Sequence, residues 1–183
     1  KDNFDKVADL AKQSQCAVAV KAADLDELGQ MNTKLTNAGL KNIVIDSGSA
    51  DKTLEIASAY TLTLARIPPE EFGHGKTRNL GARMARGKFL VFLPQDATPV
   101  GPDWLETLLL PFEDCAVAGV YCRQVPRLDA SAMEQFFLRS TYSRKFEVKK
   151  LDKGEAGSLS RCFFSTVGGV IRAALWRKHP FRE

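Results

Sequence analysis

With 183 residues, 44% hydrophobic and 26% charged, the chain has the length for one domain with a real core and the composition of an ordinary soluble globular protein. Twenty-six basic against 22 acidic residues leave a net charge of +4, which does not by itself argue for nucleic acid and suits an anionic small molecule if the cations converge. The widely spaced Cys16, Cys115, Cys122 and Cys162 form no CxxC pair and only two histidines are present, so a rich metal centre is excluded, and no run reaches transmembrane length or reads as a secretory signal. The cysteines read as reduced core residues of a cytosolic chain.

In chain order, residues 4–14 carry helical apolar spacing, and Cys16–Val20 is a short buried-strand candidate. Asp24 opens a helix with Glu27 three residues on, a capping-box arrangement, and Gly39 stops it. Asn42–Asp46 is the next strand, followed by a polar turn, a short helix over Lys52–Tyr60 and a strand over Leu62–Ile67. A loop with two prolines leads into a basic helix, Lys76–Arg86. Phe89–Leu93, FLVFL, is all apolar and bounded by breakers, the pattern of a strand buried on both faces. This alternation predicts a parallel α/β sheet. The second half is less regular: helix 103–112, strand Ala116–Cys122, a basic loop 123–129, helix 130–142, a charged mobile segment 143–160, a strand over Cys162–Ser165 and a helix over Arg172–Lys178 ended by Pro180.

Three constellations could carry chemistry. Asp46 and Asp96 both follow strands, and right-handed crossovers put both strand ends on one edge of the sheet, where open α/β sheets hold ligands. Such acids can hold a sugar hydroxyl, a base edge or a divalent cation; the alternative for Asp96 is a turn aspartate capping its own loop. His74-Gly75-Lys76-Thr77-Arg78-Asn79 sets cations where a loop becomes a helix, a place that attracts phosphate. The P-loop spacing fails because Glu70 stands at the first glycine position, and a solvated basic helix start is the plainer alternative. Arg123-Gln124-Val125-Pro126-Arg127 suits a polyhydroxylated or anionic ligand, or is an ordinary surface loop.

The strings IVIDSGSADKTLEIA, IPPEEFGHGKTRNLGARMARGKFLVFLPQDATPV, WLETLLLPF, VAGVYCRQVPR and GGVIRAALWRKHPF run collinearly over roughly three quarters of the chain. From about Asn42 to Glu183 they resemble the family-2 inverting glycosyltransferases, particularly the bacterial rhamnosyltransferase-like branch with a GT-A fold. The resemblance implies a single GT-A-like domain over residues 1–183, truncated at its C-terminus. Its sheet would be mostly parallel, doubly wound and Rossmann-like, with helices on both faces. The implied reaction moves a sugar, rhamnose among the candidates, from a dTDP- or UDP-sugar to the hydroxyl of a saccharide or lipid-linked acceptor. By the same resemblance, Asp46, with Ser47 beside it, would bind the nucleoside. Arg78 and Asn79 would contact the nucleotide, with Lys76 near the phosphates. Asp96 matches the last acid of the family's Asp-x-Asp motif, whose first acid is replaced by Pro94, so Mn²⁺ or Mg²⁺ is expected to bind weakly. Gln95, Gln124 and Arg127 would lie near sugar or acceptor. No nucleic acid is expected, and the implied location is the cytoplasm, at the inner face of the membrane.

The chain departs from that pattern twice. The family's nucleotide-holding Pro-x-Tyr/Phe-Asn turn is missing, and residues 1–49 instead resemble the large subunit of the corrinoid iron–sulfur protein, through AVAVKAADLDELGQMNTKLTNAGLKNIVIDSGS. A chimera with its seam at 43–49 is therefore expected. The family's general base follows the Pro-Phe-x-Glu string, and this chain ends at Glu183, so incomplete catalysis is expected. The alternatives are a folded chimera with no ligand, and a corrinoid fragment, against which stands the lack of a cobalamin motif or cysteine cluster.

Overall fold

The computed structural model describes residues 15–18, 41–59, 63–101, 103–150 and 162–183. The helices expected over 4–14 and from Asp24, with the Gly39 stop, lie outside these residues, as does 151–160 of the charged segment. Six strands form one sheet: β1 (Gln15–Val18), β2 (Lys41–Asp46), β3 (Thr63–Arg66), β4 (Phe89–Leu93), β5 (Gly119–Tyr121) and β6 (Gly169–Arg172). Their order is β3-β2-β1-β4-β6-β5. β3, β2, β1 and β4 pair in parallel, and β6 runs antiparallel to both β4 and β5. Strand order reverses between β1 and β4, which makes their carboxyl ends the topological switch point where such sheets leave a crevice.

The apolar run of β4 is explained by its two covered faces. Phe89, Val91 and Leu93 join Val44, Ile56, Leu105, Leu109 and Val170 in one core layer. Leu90 and Phe92 join Ile43, Ile45, Ala82 and Trp176 in the other. Alternate residues of one strand therefore feed opposite layers. The first layer is closed by α1 (Thr53–Ser58) and α3 (Trp104–Leu109), the second by α2 (His74–Met84) and α5 (Ala173–Lys178). Among the described residues a fifth α-helix, α4 (Ala132–Thr141), buries no residue.

Three expectations need correction. No strand forms over Cys162–Ser165: Cys162 is helical, Phe163–Ser165 is irregular chain, and the strand of this region is β6. Phe163 and Phe164 stack edge-on against the Tyr121 ring, at 5.8 and 5.5 Å, instead of entering the sheet. The strand expected over Ala116–Cys122 shrinks to three residues, because Asp114 takes the N–H groups of Ala116 and Val117 into a turn. Finally, Cys115 and Cys162 are exposed free thiols and not core residues, while Cys122 is half-buried.

Candidate functional site

A cleft of about 900 Å³ opens at the carboxyl ends of β2 and β4. Its walls come from the turn after β2, the first two turns of α2, the loop after β4 and Val167. The two strand-end acids thus meet on one concavity, which is large enough for a nucleotide.

Asp46 forms the floor at 1% exposure. Its carboxylate accepts from Gly48 N–H at 3.1 Å and Ser49 N–H at 3.2 Å, and lies 3.6 Å from Arg66 Nε. The turn it ties down needs glycine at position 48: φ is +94°, and a Cβ there would lie 2.5 Å from Pro69 Cγ. Ser47 lines the same wall. Asp96 sits differently. It is exposed on the rim with Gln95, in a turn closed by Ala97 N–H donating to Pro94 O at 3.2 Å, and its carboxylate has no partner among the described residues.

α2 splits the basic constellation. A helix advances about 100° per residue, so positions i, i+3, i+4 and i+7 share a face, whereas i and i+2 do not. His74, Thr77, Arg78 and Gly81 follow the first spacing and all line the cleft. Lys76 lies off that stripe and pairs with Glu71 at 3.6 Å, so the structure does not bring it to the cleft. Gly73, the N-cap of the helix, provides no side-chain cap, and of the first-turn residues His74 lines the cleft. Arg78 donates to His74 O at 2.9 Å, and burial lowers its guanidinium from the ordinary value. No carboxylate pairs with it among the described residues, so the cleft holds a partly desolvated cation.

Asn79 needs correction as a nucleotide contact. It is fully buried behind the cleft, at 1% exposure. Its Nδ2 donates to Phe181 O and Glu183 Oε1, each at 2.9 Å, while Oδ1 accepts from Trp176 Nε1 at 2.9 Å and Phe181 N–H at 3.0 Å. All its polar capacity holds the C-terminal segment against α2. Gly75 permits the same approach, since a Cβ there would meet Arg182 O at 1.7 Å. Gln124 is likewise committed: its Nε2 donates to Tyr142 Oη and to Ser165 Oγ, and it does not line the cleft. Arg127 reaches only the approach, donating to Thr98 Oγ1 at 3.2 Å, two residues beyond Asp96.

Phe72, which no constellation included, lines the cleft beside His74 of the basic constellation, with ring centroids 5.2 Å apart in an edge-to-face pair. Among the described residues no group of three His, Cys, Asp or Glu side chains gathers to cage a metal. A single rim carboxylate fits a divalent ion that takes its remaining oxygens from a phosphorylated ligand.

The profile of the family described as "Glycosyl transferase family 2" matches residues 25–168. The chain is similar to the O-antigen chain rhamnosyltransferase WbaN of Salmonella anatum, 45% identical over 144 residues, 78% of this chain and 46% of that protein. It is also similar to the O-antigen chain rhamnosyltransferase RfbN of Salmonella typhimurium, 33% identical, covering 75% of this chain and 45% of that one. The chain thus spans about half the length of these curated relatives. Among solved structures, glucosyl-3-phosphoglycerate synthase of Mycobacterium tuberculosis, with Mn²⁺, UDP and phosphoglyceric acid, superposes with a TM-score of 0.52 at 18% identity, over 64% of this chain and 46% of that one. At that identity the likeness is one of fold, a GT-A α/β architecture with a mostly parallel sheet.

Proposed function

The chain belongs to glycosyl transferase family 2, and from that premise we propose that it forms the donor-binding part of an inverting sugar transferase. The observation that carries this is the single cleft shared by Asp46, Arg78 and Asp96. Over a floor shaped by Asp46 and its turn, wall and rim offer a cation and a free carboxylate, which together suit a nucleoside diphosphate. Rhamnose is our candidate sugar, since the two Salmonella relatives are named rhamnosyltransferases, with dTDP or UDP as the carrier. The acceptor would be a saccharide or a lipid-linked saccharide, and we place the reaction in the cytoplasm, at the inner face of the membrane. Among the described residues no helix is long and apolar enough to cross a membrane.

In this reading Arg78, with the positive end of the α2 dipole behind it, holds the diphosphate, where charge gathers as the sugar leaves. Asp96 and diphosphate oxygens would hold Mn²⁺ or Mg²⁺, as the solved neighbour's Mn²⁺ and UDP suggest. Such an ion would supply positive charge against that of the departing diphosphate. Asp46 keeps the Gly48–Ser49 turn in the shape that receives the nucleoside. Gln95, beside Asp96, is left to the sugar. Inversion also needs a base for the acceptor hydroxyl, and we assign no cleft residue to it.

The test is calorimetry of the chain with dTDP and with UDP, each with and without Mn²⁺. We expect saturable binding that strengthens with Mn²⁺, and loss of that strengthening in Asp96→Ala. Absence of binding, or binding indifferent to the Asp96 change, would overturn the reading. The alternatives, a ligand-free chimera and a corrinoid fragment, are not favoured by these matches. We keep a seam at residues 43–49 as a proposal; recovery of the coding sequence across it as one natural fragment would sink it.

A further inference from the structure

We propose that α4 and the chain that follows it form a docking surface for an anionic lipid bilayer. α4 starts soundly, with Ser131 Oγ accepting from Glu134 N–H at 3.2 Å. Yet a ten-residue helix without a buried residue lacks the packing that normally holds one in place. Its apolar residues face outward together: Met133, Phe136 and Phe137, at i, i+3 and i+4, are 79%, 72% and 63% exposed. Phe146, just beyond, is 78% exposed. The helix's polar groups are meanwhile satisfied among themselves, Arg139 donating to Gln135 Oε1 and Ser140 to Phe137 O, each at 3.0 Å.

Charge decides what covers this surface. Residues 131–150 hold five basic side chains, Arg139, Arg144, Lys145, Lys149 and Lys150, against Glu134 and Glu147. That segment therefore carries +3 of the chain's +4. Exposed aromatic residues flanked by cations of one sign are what an interface rich in anionic headgroups attracts. A second copy docked face to face would set two such cationic surfaces against each other, which costs energy. The surface also continues from the cleft. Arg127, at the head of the connection into α4, hydrogen-bonds Thr98 beside the Asp96 rim. The inference rests on the donor-site reading in one respect, that a lipid-linked acceptor would be presented at this rim.

The test is sedimentation of the full 183-residue chain with vesicles of phosphatidylcholine alone, and of phosphatidylcholine mixed with phosphatidylglycerol, at low and high salt. We expect binding to the mixed vesicles only, weakened by salt. We expect it to fall roughly tenfold in Phe136→Ser/Phe137→Ser and in Arg144→Glu/Lys145→Glu. Both variants change exposed residues, so unchanged circular dichroism and unchanged binding of dTDP or UDP are expected with them. Equal binding to both vesicle types, or binding that survives both variants, would overturn the proposal. So would a concentration-dependent dimer abolished by the phenylalanine changes with no vesicle binding, which would assign the surface to a second copy. Loss of nucleotide binding in the parent chain, with vesicle binding intact, would count against the donor site and leave this surface standing.

Discussion

The floor and the rim of the cleft use the same polar residue types under opposite conditions. On the floor and just behind it, Asp46 and Asn79 are each 1% exposed and fully occupied by the protein's own N–H and C=O groups. On the rim and wall, and among the described residues, Asp96 is exposed without a partner and Arg78 is half-buried with a helix carbonyl as its hydrogen-bond acceptor. A polar side chain that the protein satisfies is a structural member, and one that it desolvates or exposes without a partner is available to a ligand. Substitutions behind the cleft should therefore cost stability, and substitutions on its open walls should cost binding.

The largest effect is expected at Asn79. Asn79→Ala strands Trp176 Nε1–H and both backbone groups of Phe181, so a loss of about 3 kcal/mol in denaturant unfolding is expected. Asp46→Ala frees two turn N–H groups and should cost about 2 kcal/mol, while Asp46→Asn, which keeps an acceptor oxygen, should cost less. Its ion pair with Arg66 adds little, since Arg66 is 62% exposed. An Asp46→Ala chain with unchanged unfolding would break the contrast. From the other side, Arg78→Met should keep stability within about 0.5 kcal/mol and weaken nucleotide binding about tenfold, near 1.4 kcal/mol by calorimetry. A variant that unfolds early but binds normally would move Arg78 to the structural class.

How much of this was legible depends on which force decides each residue. Phe89–Leu93 could be read as a doubly covered strand because five apolar residues in succession leave no solvent face. β6 could not: GVIR opens on the second of two adjacent glycines and ends on Arg172, whose charge is absorbed by the carbonyls of Phe112, Asp114 and Val117, partners distant in sequence. The convergence of both strand ends followed from right-handed crossovers alone. The split between Arg78 and its neighbours was present in the helical spacing, since Lys76 and Arg78 cannot share a face. The commitment of Asn79 was not, because it depends on a segment 102 residues later folding back across α2. The same holds for Gln124, whose partners lie 18 and 41 residues away.

The smallest expected effect lies at the far end of the Asn79 network and tests whether that network is electrostatic as well as geometric. Hydrogen bonding from Asn79, foremost, holds the Glu183 carboxyl below its usual range, with Arg83 and Lys76 adding attraction against a desolvation that works the other way. A carboxyl with a lowered folded pKa stabilises the fold above its unfolded pKa of about 4.3, and that contribution disappears as pH falls through the folded value. Glu183→Gln keeps an oxygen for Asn79 Nδ2 but removes the charge. Its unfolding midpoint should match the parent below the folded pKa and fall slightly short of it at neutral pH, so its acid slope should be shallower. Because Glu183 is exposed, solvent and salt screen the difference, which should shrink as ionic strength rises. Identical slopes for the two chains would mean that Asn79 holds the C-terminal segment through its bonds to Phe181 and Trp176 alone, making the clamp behind the cleft indifferent to charge while the cleft itself depends on it.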